Sequence, residues 1–423
     1  MEAFGKRNGL AYGLLGLPLA FVALPLYVIL PNYYAKTFGV PLATLGAILL
    51  GARLFDAFID PLLGRLSDRL FARSAASVLR AGLLSAVVLA VGFALLFFPQ
   101  VAAPGALIGW VSAMLMVTYA AYSFLSVSHQ SWGAMLGGNE AERSRIVAWR
   151  EGLGLVGVVL ASVTPVALGL PATTVIFFIA LAAGWLAWTR AVQPATKASH
   201  AAQPGAIWLP FKHANFKRLL TVFMLNGIAS AVPATLVLFF IQDRLQAPSS
   251  MEPLFLGSYF LTAALSIPLW LAVVKRIGLA KAWLCGMALA IAVFAWATQV
   301  GAGQSTAFLI ITSLSGVALG TDLALPGALL AGVIQRNGDS GKLEGAYFGW
   351  WNFATKLNLA LAAGLALPLL GLFGYAPGSR STDALQALVI AYCVLPCVLK
   401  LAAGGALYFF IIQPDRHTLK VAT

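Results

Sequence analysis

The stretch LLGARLFDAFIDPLLGRLSDR, Leu49 to Arg69, decides how this chain is read. From Leu49 to Leu63 every residue is apolar except Arg53, Asp56 and Asp60, and their spacing of i, i+3, i+7 lines the three charges along one face of a helix. A surface helix of a soluble domain carries a broad polar face opposite its apolar one. Here the charged stripe is narrow and the rest of the circumference is Leu, Phe, Ile and Ala. The helix is therefore expected to lie in hydrocarbon with its charges turned toward protein. The whole chain agrees: of 423 residues, 60% are hydrophobic and only 10% charged, and the mean hydropathy is +0.88. A soluble domain carries about a quarter charged residues, so this is the composition of a membrane protein.

The formal charge is +13, from 27 Lys and Arg against 14 Asp and Glu. Nucleic-acid binding needs such bases on one stripe of a soluble fold, whereas these fall between apolar blocks, and no nucleic-acid partner is expected. Cys285, Cys393 and Cys397 sit inside apolar runs and read as small buried hydrophobes rather than a metal or redox pair.

About 20 apolar residues cross the hydrocarbon as a helix. The chain offers twelve such stretches, near 10–36, 41–63, 77–98, 105–136, 146–168, 172–192, 218–241, 252–274, 282–300, 304–333, 344–370 and 384–411. The expected fold class is an all-α polytopic membrane protein, since the short alternating segments of a barrel are missing. The longest polar interval, Gln193 to Lys217, has six helices on either side. This divides the chain into an N-terminal six-helix bundle, 1–192, a linker, 193–217, and a C-terminal six-helix bundle, 218–423. A repeat supports the division. Helix 4 ends in GGNEAERSRIVAWREGLG and helix 10 in RNGDSGKLEGAYFGWWNF, while helix 2 exits through GRLSDRLFAR and helix 8 through VKRIGLAK. Two matched halves predict a rocking transporter with its solute site between them near the bilayer midplane.

With the N-terminus in the cytoplasm, 21 of the 27 Lys and Arg fall on the cytoplasmic side. That asymmetry predicts both termini in the cytoplasm of a bacterial inner membrane, with the bilayer itself as a partner. Met1 to Gly9 is too short for a cleavable leader's charged region and the following apolar run too long, so helix 1 is expected to act as its own insertion signal.

Charged side chains inside a membrane cost several kcal/mol and default to function. Besides Arg53, Asp56 and Asp60, these are Asp322 on helix 10, Lys356 on helix 11 and Lys400 on helix 12. Two carboxylates four apart beside one arginine leave a net negative site, which can bind a monovalent cation through oxygen ligands or hold a proton. Either outcome couples transport to an ion, so Na+ or H+ at Asp56 and Asp60 is the expected driving ion, with no further cofactor. The competing structural reading is a helix-locking pair of Arg53 with Asp56, and a capping or gating role for Asp60 through Asp60-Pro61. Lys356 lies about twelve residues into helix 11, roughly 18 Å at 1.5 Å per residue, too deep to snorkel, and it can compete with the cation for the carboxylates.

Gly64 to Arg73, GRLSDRLFAR, is assigned to the loop after helix 2 and resembles the signature of the major facilitator superfamily, which implies a gate. There Gly64 allows close helix approach, Asp68 can accept from a helix N-terminus, and Arg69 or Arg73 can pair across the loop. A finer resemblance spans most of the chain. ARLFDAFIDPLLGRLSD (Ala52 to Asp68), the helix 4 to 5 junction with Trp132, NEAER and Arg150, and DSGKLEGAYFGWWNFATK (Asp339 to Lys356) are similar to the glycoside-pentoside-hexuronide:cation symporters, the melibiose-carrier-like group. The resemblance implies a twelve-helix major facilitator fold of two pseudo-symmetric halves, a coupling Na+, H+ or Li+ on Asp56 and Asp60, Lys356 beside that site, and sugar contacts at Trp132 and Arg150. Two departures stand out: Ala20 occupies the place of the helix 1 aspartate, and helix 4 offers Ser128 and His129 in SVSHQSW where the sugar carriers have a third acid.

The candidates for a solute are Tyr119, Tyr122, His129, Gln130 and Trp132 on helix 4, Arg150 on helix 5, Asn226 on helix 7, Asp322 on helix 10, and Trp351 and Asn352 on helix 11. His129 has a second reading as a helix-to-helix hydrogen bond, and Asp322 as a partner of Lys356. A nucleotide cradle is missing, so energy must come from a gradient. An enzyme would need a nucleophile, base and oxyanion donors converging, and the chain has only four His. The expected function is cation-coupled symport of a small organic solute, a sugar or glycoside. The alternative is proton-coupled movement of an amphipathic, lipid-like or drug-like molecule, and a monomer is expected by analogy.

Overall fold

The computed structural model describes residues 4–101, 103–194 and 206–414; part of the expected linker, 195–205, lies outside them. Among the described residues all regular structure is helical. The helices are α1 (Lys6–Phe38), α2 (Leu42–Arg73), α3 (Ala75–Phe97), α4 (Pro104–Met135), α5 (140–168), α6 (170–189), α7 (Ala214–Arg244), α8 (Glu252–Ile277), α9 (Leu279–Ala297), α10 (Ser305–Arg336), α11 (Glu344–Leu372) and α12 (Thr382–Ile412). Nine of the helical runs among the described residues are long and apolar enough to cross a membrane. Their outer faces carry large exposed apolar side chains, such as Leu84, Val166 and Leu265, which suit acyl chains.

Local sequence explains the boundaries. α5 and α6 form one continuous run, Glu140–Thr189, broken only at Gly169, whose φ of 79° a Cβ would strain; Pro171 follows. The start of α5 is a reciprocal cap in which Asn139 Oδ1 accepts from the Glu142 amide at 3.0 Å and Glu142 Oε2 accepts from the Asn139 amide at 3.2 Å. The acid-rich NEAER stretch is thus a helix start.

The assignment of GRLSDRLFAR to a loop is corrected. α2 stays helical to Arg73, because Leu, Arg, Ser and Asp after Gly64 include no breaker. Only Ser74 separates α2 from α3, and its Oγ accepts from the Ser77 amide at 3.1 Å.

The chain forms two compact units. The first holds Met1–Lys212 and Ala331–Phe353, the second His213–Leu330 and Ala354–Thr423. The end of α10 and the beginning of α11 therefore pack with the first unit. Arg143 donates to Gln335 Oε1 at 2.6 Å, Trp350 Nε1 donates to the Ile207 carbonyl at 2.7 Å, and Asp68 receives the α11 amides described below.

Within the first unit, α1 lies against α5 so closely that side chains are excluded. A Cβ on Gly16 would stand 2.5 Å from the Arg150 carbonyl, and one on Gly157 would overlap the Leu17 carbonyl. Small residues at such seams let helix backbones approach and gain dispersion contacts, the main source of helix association in lipid. The aromatic core of this unit runs through Phe21, Phe93 and Phe177; that of the second unit stacks Phe240 between Phe308 and Tyr392.

Gly16→Leu is expected to destabilise the first unit by about 1–3 kcal/mol, the usual cost of overpacking. Gly46→Ala, where no atom lies within 4 Å, is expected to leave stability unchanged or raised by up to about 1 kcal/mol. Apparent melting temperatures of the two purified variants check this.

Candidate functional site

α2 carries the charged stripe of the first unit. Asp56 is 1% exposed and Asp60 0%, and Ser123 of α4 donates to Asp56 Oδ1 at 2.6 Å. Arg53, expected to share the buried face, is instead exposed, and its guanidinium carbon sits 4.5 Å from the centre of the Tyr27 ring of α1. Its length and delocalised charge let it lie on an aromatic face while reaching outward. The two aspartates therefore form the buried anionic part of the stripe. Tyr119 packs 5.9 Å from Tyr27, and Asp56, Tyr27, Tyr119 and Arg53 gather around one region of α1, α2 and α4.

Other candidates on α4 are used within the protein. His129 is fully buried, its Nε2 2.7 Å from the Tyr12 carbonyl oxygen, while the Tyr12 hydroxyl donates to the His129 carbonyl at 3.0 Å. Its ring packs against Tyr12 and edge-on to Trp188. Trp132 is equally enclosed, donating from Nε1 to the Val192 carbonyl at 2.9 Å and packing on Trp188 and Phe71. Gln130 donates to Ser126 at 3.0 Å, and Tyr122 is partly buried. Arg150 pairs with its neighbour Glu151, its Nε 3.0 Å from Glu151 Oε1. Trp351 is buried and Asn352 half-buried on the part of α11 that belongs to the first unit, and Lys356, half-buried, belongs to the second.

At the Arg-rich end of α2, Asp68 is buried and accepts from the first-turn amides of α11, Gly345 N at 2.6 Å and Ala346 N at 2.9 Å. A carboxylate there satisfies two donors that the helix itself cannot and meets the positive end of its dipole. Gly64 makes the approach possible, since a Cβ on it would overlap the Gly345 carbonyl. Arg69 and Arg73 are exposed and form no ion pair among the described residues, so the expected pairing across the loop is replaced by solvation of two long side chains.

The second unit contains a polar centre of its own. Lys400 Nζ lies 2.8 Å from Asn226 Oδ1, 3.1 Å from Ser230 Oγ and 3.1 Å from Asp322 Oδ2. Asp322 Oδ1 accepts from Asn226 Nδ2 at 2.9 Å and Trp283 Nε1 at 2.8 Å, and Oδ2 also accepts from Ser230 at 3.2 Å. Four helices, α7, α9, α10 and α12, meet in this network. The reading that paired Asp322 with Lys356 is corrected: its counter-ion is Lys400. Ser230, Asp322 and Lys400 line a cavity of about 180 Å³ together with Phe255, Phe260 and Phe294 and the hydroxyl-bearing Tyr259, Thr312, Ser315 and Tyr392. Among the described residues no group of three or more His, Cys, Asp and Glu gathers as a metal site.

A sequence profile described as MFS/sugar transport protein matches residues 9–414. The chain belongs to that family. An uncharacterized symporter of Bacillus subtilis (strain 168), YjmB, is 24% identical over 410 residues, covering 90% of this chain and 87% of its own. A bacterial homologue of the iron transporter ferroportin in its outward-facing state superposes with a TM-score of 0.72 at 15% identity, covering 95% of this chain and 98% of that one. The Escherichia coli fucose:proton symporter FucP gives 0.69 at 14%, covering 94% and 99%.

The protein is thus a twelve-helix MFS secondary transporter that moves a small-molecule solute across a bilayer, and not an enzyme. In this MFS chain the residues that sequence reasoning missed are Ser123, Ser230 and Trp283. Each is an ordinary residue in an apolar helix, and only the tertiary packing brings it to a carboxylate.

Asp68→Asn removes a charge-assisted acceptor worth about 1.5–3 kcal/mol. Hydrogen exchange at Gly345 and Ala346 is expected to speed up roughly 10- to 100-fold, read by mass spectrometry on peptides covering the start of α11. Unchanged protection would mean that the amides are held by something else.

Proposed function

We propose that this transporter couples the inward movement of a sugar or glycoside to Na+ or H+ bound at Asp56 and Asp60. The observation that carries the reading is the burial of these two carboxylates four residues apart on a membrane helix, with a serine hydroxyl as the donor to one of them. Two carboxylates this close on one buried helix face repel each other, and a bound cation or proton relieves that repulsion. Cation binding neutralises the carboxylates, solute completes the site, and the halves rock from outward to inward opening, with Lys356 as the residue that competes with the cation.

The Asp68 dock at the start of α11 acts on this reading as a latch that opens and re-forms in each cycle. The family description supports a sugar as the solute class, and the concentration of bases supports an inner-membrane protein with both termini in the cytoplasm. Arg150, Tyr122, Trp351 and Asn352 remain the first-unit candidates for hydroxyl and ring contacts, with Trp132 and His129 supporting them from behind.

In reconstituted vesicles, Asp56→Asn and Asp60→Asn are each expected to lower gradient-driven accumulation of a transported glycoside at least tenfold. Imposing a Na+ gradient or a proton gradient alone identifies the ion. Wild-type accumulation in both variants would remove the cation site.

The second reading, an amphipathic or lipid-like solute with proton coupling, is favoured by one observation, the aromatic and aliphatic walls of the second-unit cavity. A thermal-stability screen of the purified protein against sugars, glycosides, organic acids and lysolipids, each with and without Na+, separates the two. A ligand at 100 times its Kd stabilises by roughly 2.7 kcal/mol. A Na+-dependent shift with a glycoside is the expected outcome, and shifts with lipids or acids alone would favour the second reading.

A further inference from the structure

The second-unit cavity has a largely apolar lining that includes the buried Lys400–Asp322 pair. Its volume of about 180 Å³ compares with the roughly 150 Å³ cavity that admits benzene in an engineered core, so it takes one ring. Phe255, Phe260, Phe294 and Val237 line it. Hydroxyls on the lining come from Ser230, Tyr259, Thr312, Ser315 and Tyr392, and the one ion pair on it is that of Lys400 and Asp322. A single ring with one charged substituent suits a mostly apolar lining that holds one buried ion pair.

The ion pair is saturated. Each Asp322 oxygen accepts two hydrogen bonds, and Lys400 Nζ is engaged by Asn226, Ser230 and Asp322. Lys400 and Asp322 are the charged residues that line the cavity, and they cancel. The titratable groups facing Asp322 are Lys400 from α12 and Tyr259 from α8, and Tyr392 from α12 shares the cavity lining. α7 and α9 contribute the neutral Asn226, Ser230 and Trp283. A second anion that displaced Asp322 from Lys400 would strand a buried carboxylate, which is strongly unfavourable. Protonation of Asp322 removes that penalty.

We propose that this cavity binds a single-ring monocarboxylate together with one proton, the carboxylate replacing Asp322 beside Lys400 as Asp322 takes up the proton. The charge balance closes. One anion and one proton enter, the Asp322–Lys400 ion pair opens, a Lys400–carboxylate pair forms, and the cavity stays neutral. The protonated Asp322 keeps its neighbours, since Oδ1 still accepts from Asn226 and Trp283 while the hydroxyl on Oδ2 donates to Ser230. The inference concerns binding at this cavity and stands whether or not a glycoside is the transported solute.

The test is calorimetric titration of the purified full chain with benzoate, with benzamide as the neutral shape match, in buffers of differing ionisation enthalpy. The expected result is uptake of one proton per benzoate and an affinity that falls about tenfold per pH unit wherever that full proton is taken up, with no proton uptake for benzamide. Asp322→Asn is expected to bind benzoate without proton uptake and with a flat pH profile, and Lys400→Gln to weaken binding at least tenfold. Either single change strands a buried charge and can impair folding, so the double variant Asp322→Asn with Lys400→Gln, which leaves none stranded, carries the decision. It is expected to melt close to the wild type and to show neither tight benzoate binding nor proton uptake. The proposal is overturned if the wild type does not bind benzoate, if it binds without a proton, or if the double variant retains proton-linked binding. That last result would mean that benzoic acid enters as the neutral molecule without using the pair.

Discussion

A charge inside hydrocarbon has no water to turn to, so each one in this protein must find its compensation within the fold. The solutions differ in how complete they are. Asp322 and Lys400 cancel each other and draw in Asn226, Ser230 and Trp283 until every donor and acceptor of the pair is engaged. Arg150 is matched by Glu151 on its own helix. Asp68 is matched by backbone amides at a helix start. Asp56 and Asp60 are of another kind, because they are two carboxylates on one buried face and the arginine of the same stripe lies exposed on an aromatic ring. Charges saturated in this way hold helices together, whereas two carboxylates four residues apart on one helix repel each other, and a cation or proton bound between them relieves that repulsion.

The same economy of space that encloses these charges also positions them. Backbone amides can serve Asp68 only if α11 approaches α2 without side chains between them, and Gly64 and Gly345 face each other at that seam. A larger residue at either place would push the amides out of hydrogen-bond range before it affected anything else. Glycines at the α1 and α5 seam do the equivalent work for the first unit, and Gly133 of α4 leaves room for the Tyr12 hydroxyl that donates to the His129 carbonyl. Small residues and buried polar groups are therefore one design, since hydrogen bonds between helices in lipid need close backbones.

Much of this was legible in the amino-acid order. Apolar length gave the helices, the i, i+3, i+7 stripe marked Asp56 and Asp60, and Asp68 stood out as an acid able to meet a helix start. What could not be read was partnership across the chain. Asp322 and Lys400 lie 78 residues apart, and periodicity says only that each faces protein, not that they face each other. Trp132 and His129 carry polar atoms in an apolar helix, which sequence reads as an invitation to a ligand. In the fold those atoms are taken by the Val192 and Tyr12 carbonyls. GRLSDRLFAR is helix rather than the expected loop, since nothing in it breaks a helix.

The two polar centres answer different questions, and their charges say which. A pair of neighbouring carboxylates changes its energy when a cation or proton arrives or leaves, so it can link solute movement to an ion gradient. A neutral centre is indifferent to such a gradient unless one of its members titrates, and its selectivity comes from the shape and polarity of its walls. On the reading proposed here the aspartates of α2 set the ion and therefore the driving force. The cavity around Asp322 and Lys400 sets which rings fit, and it admits an anion only with the proton that keeps it neutral. Separating the two tasks lets solute selectivity vary through wall residues such as Phe255 and Phe294 while the carboxylate pair that carries the coupling stays unchanged.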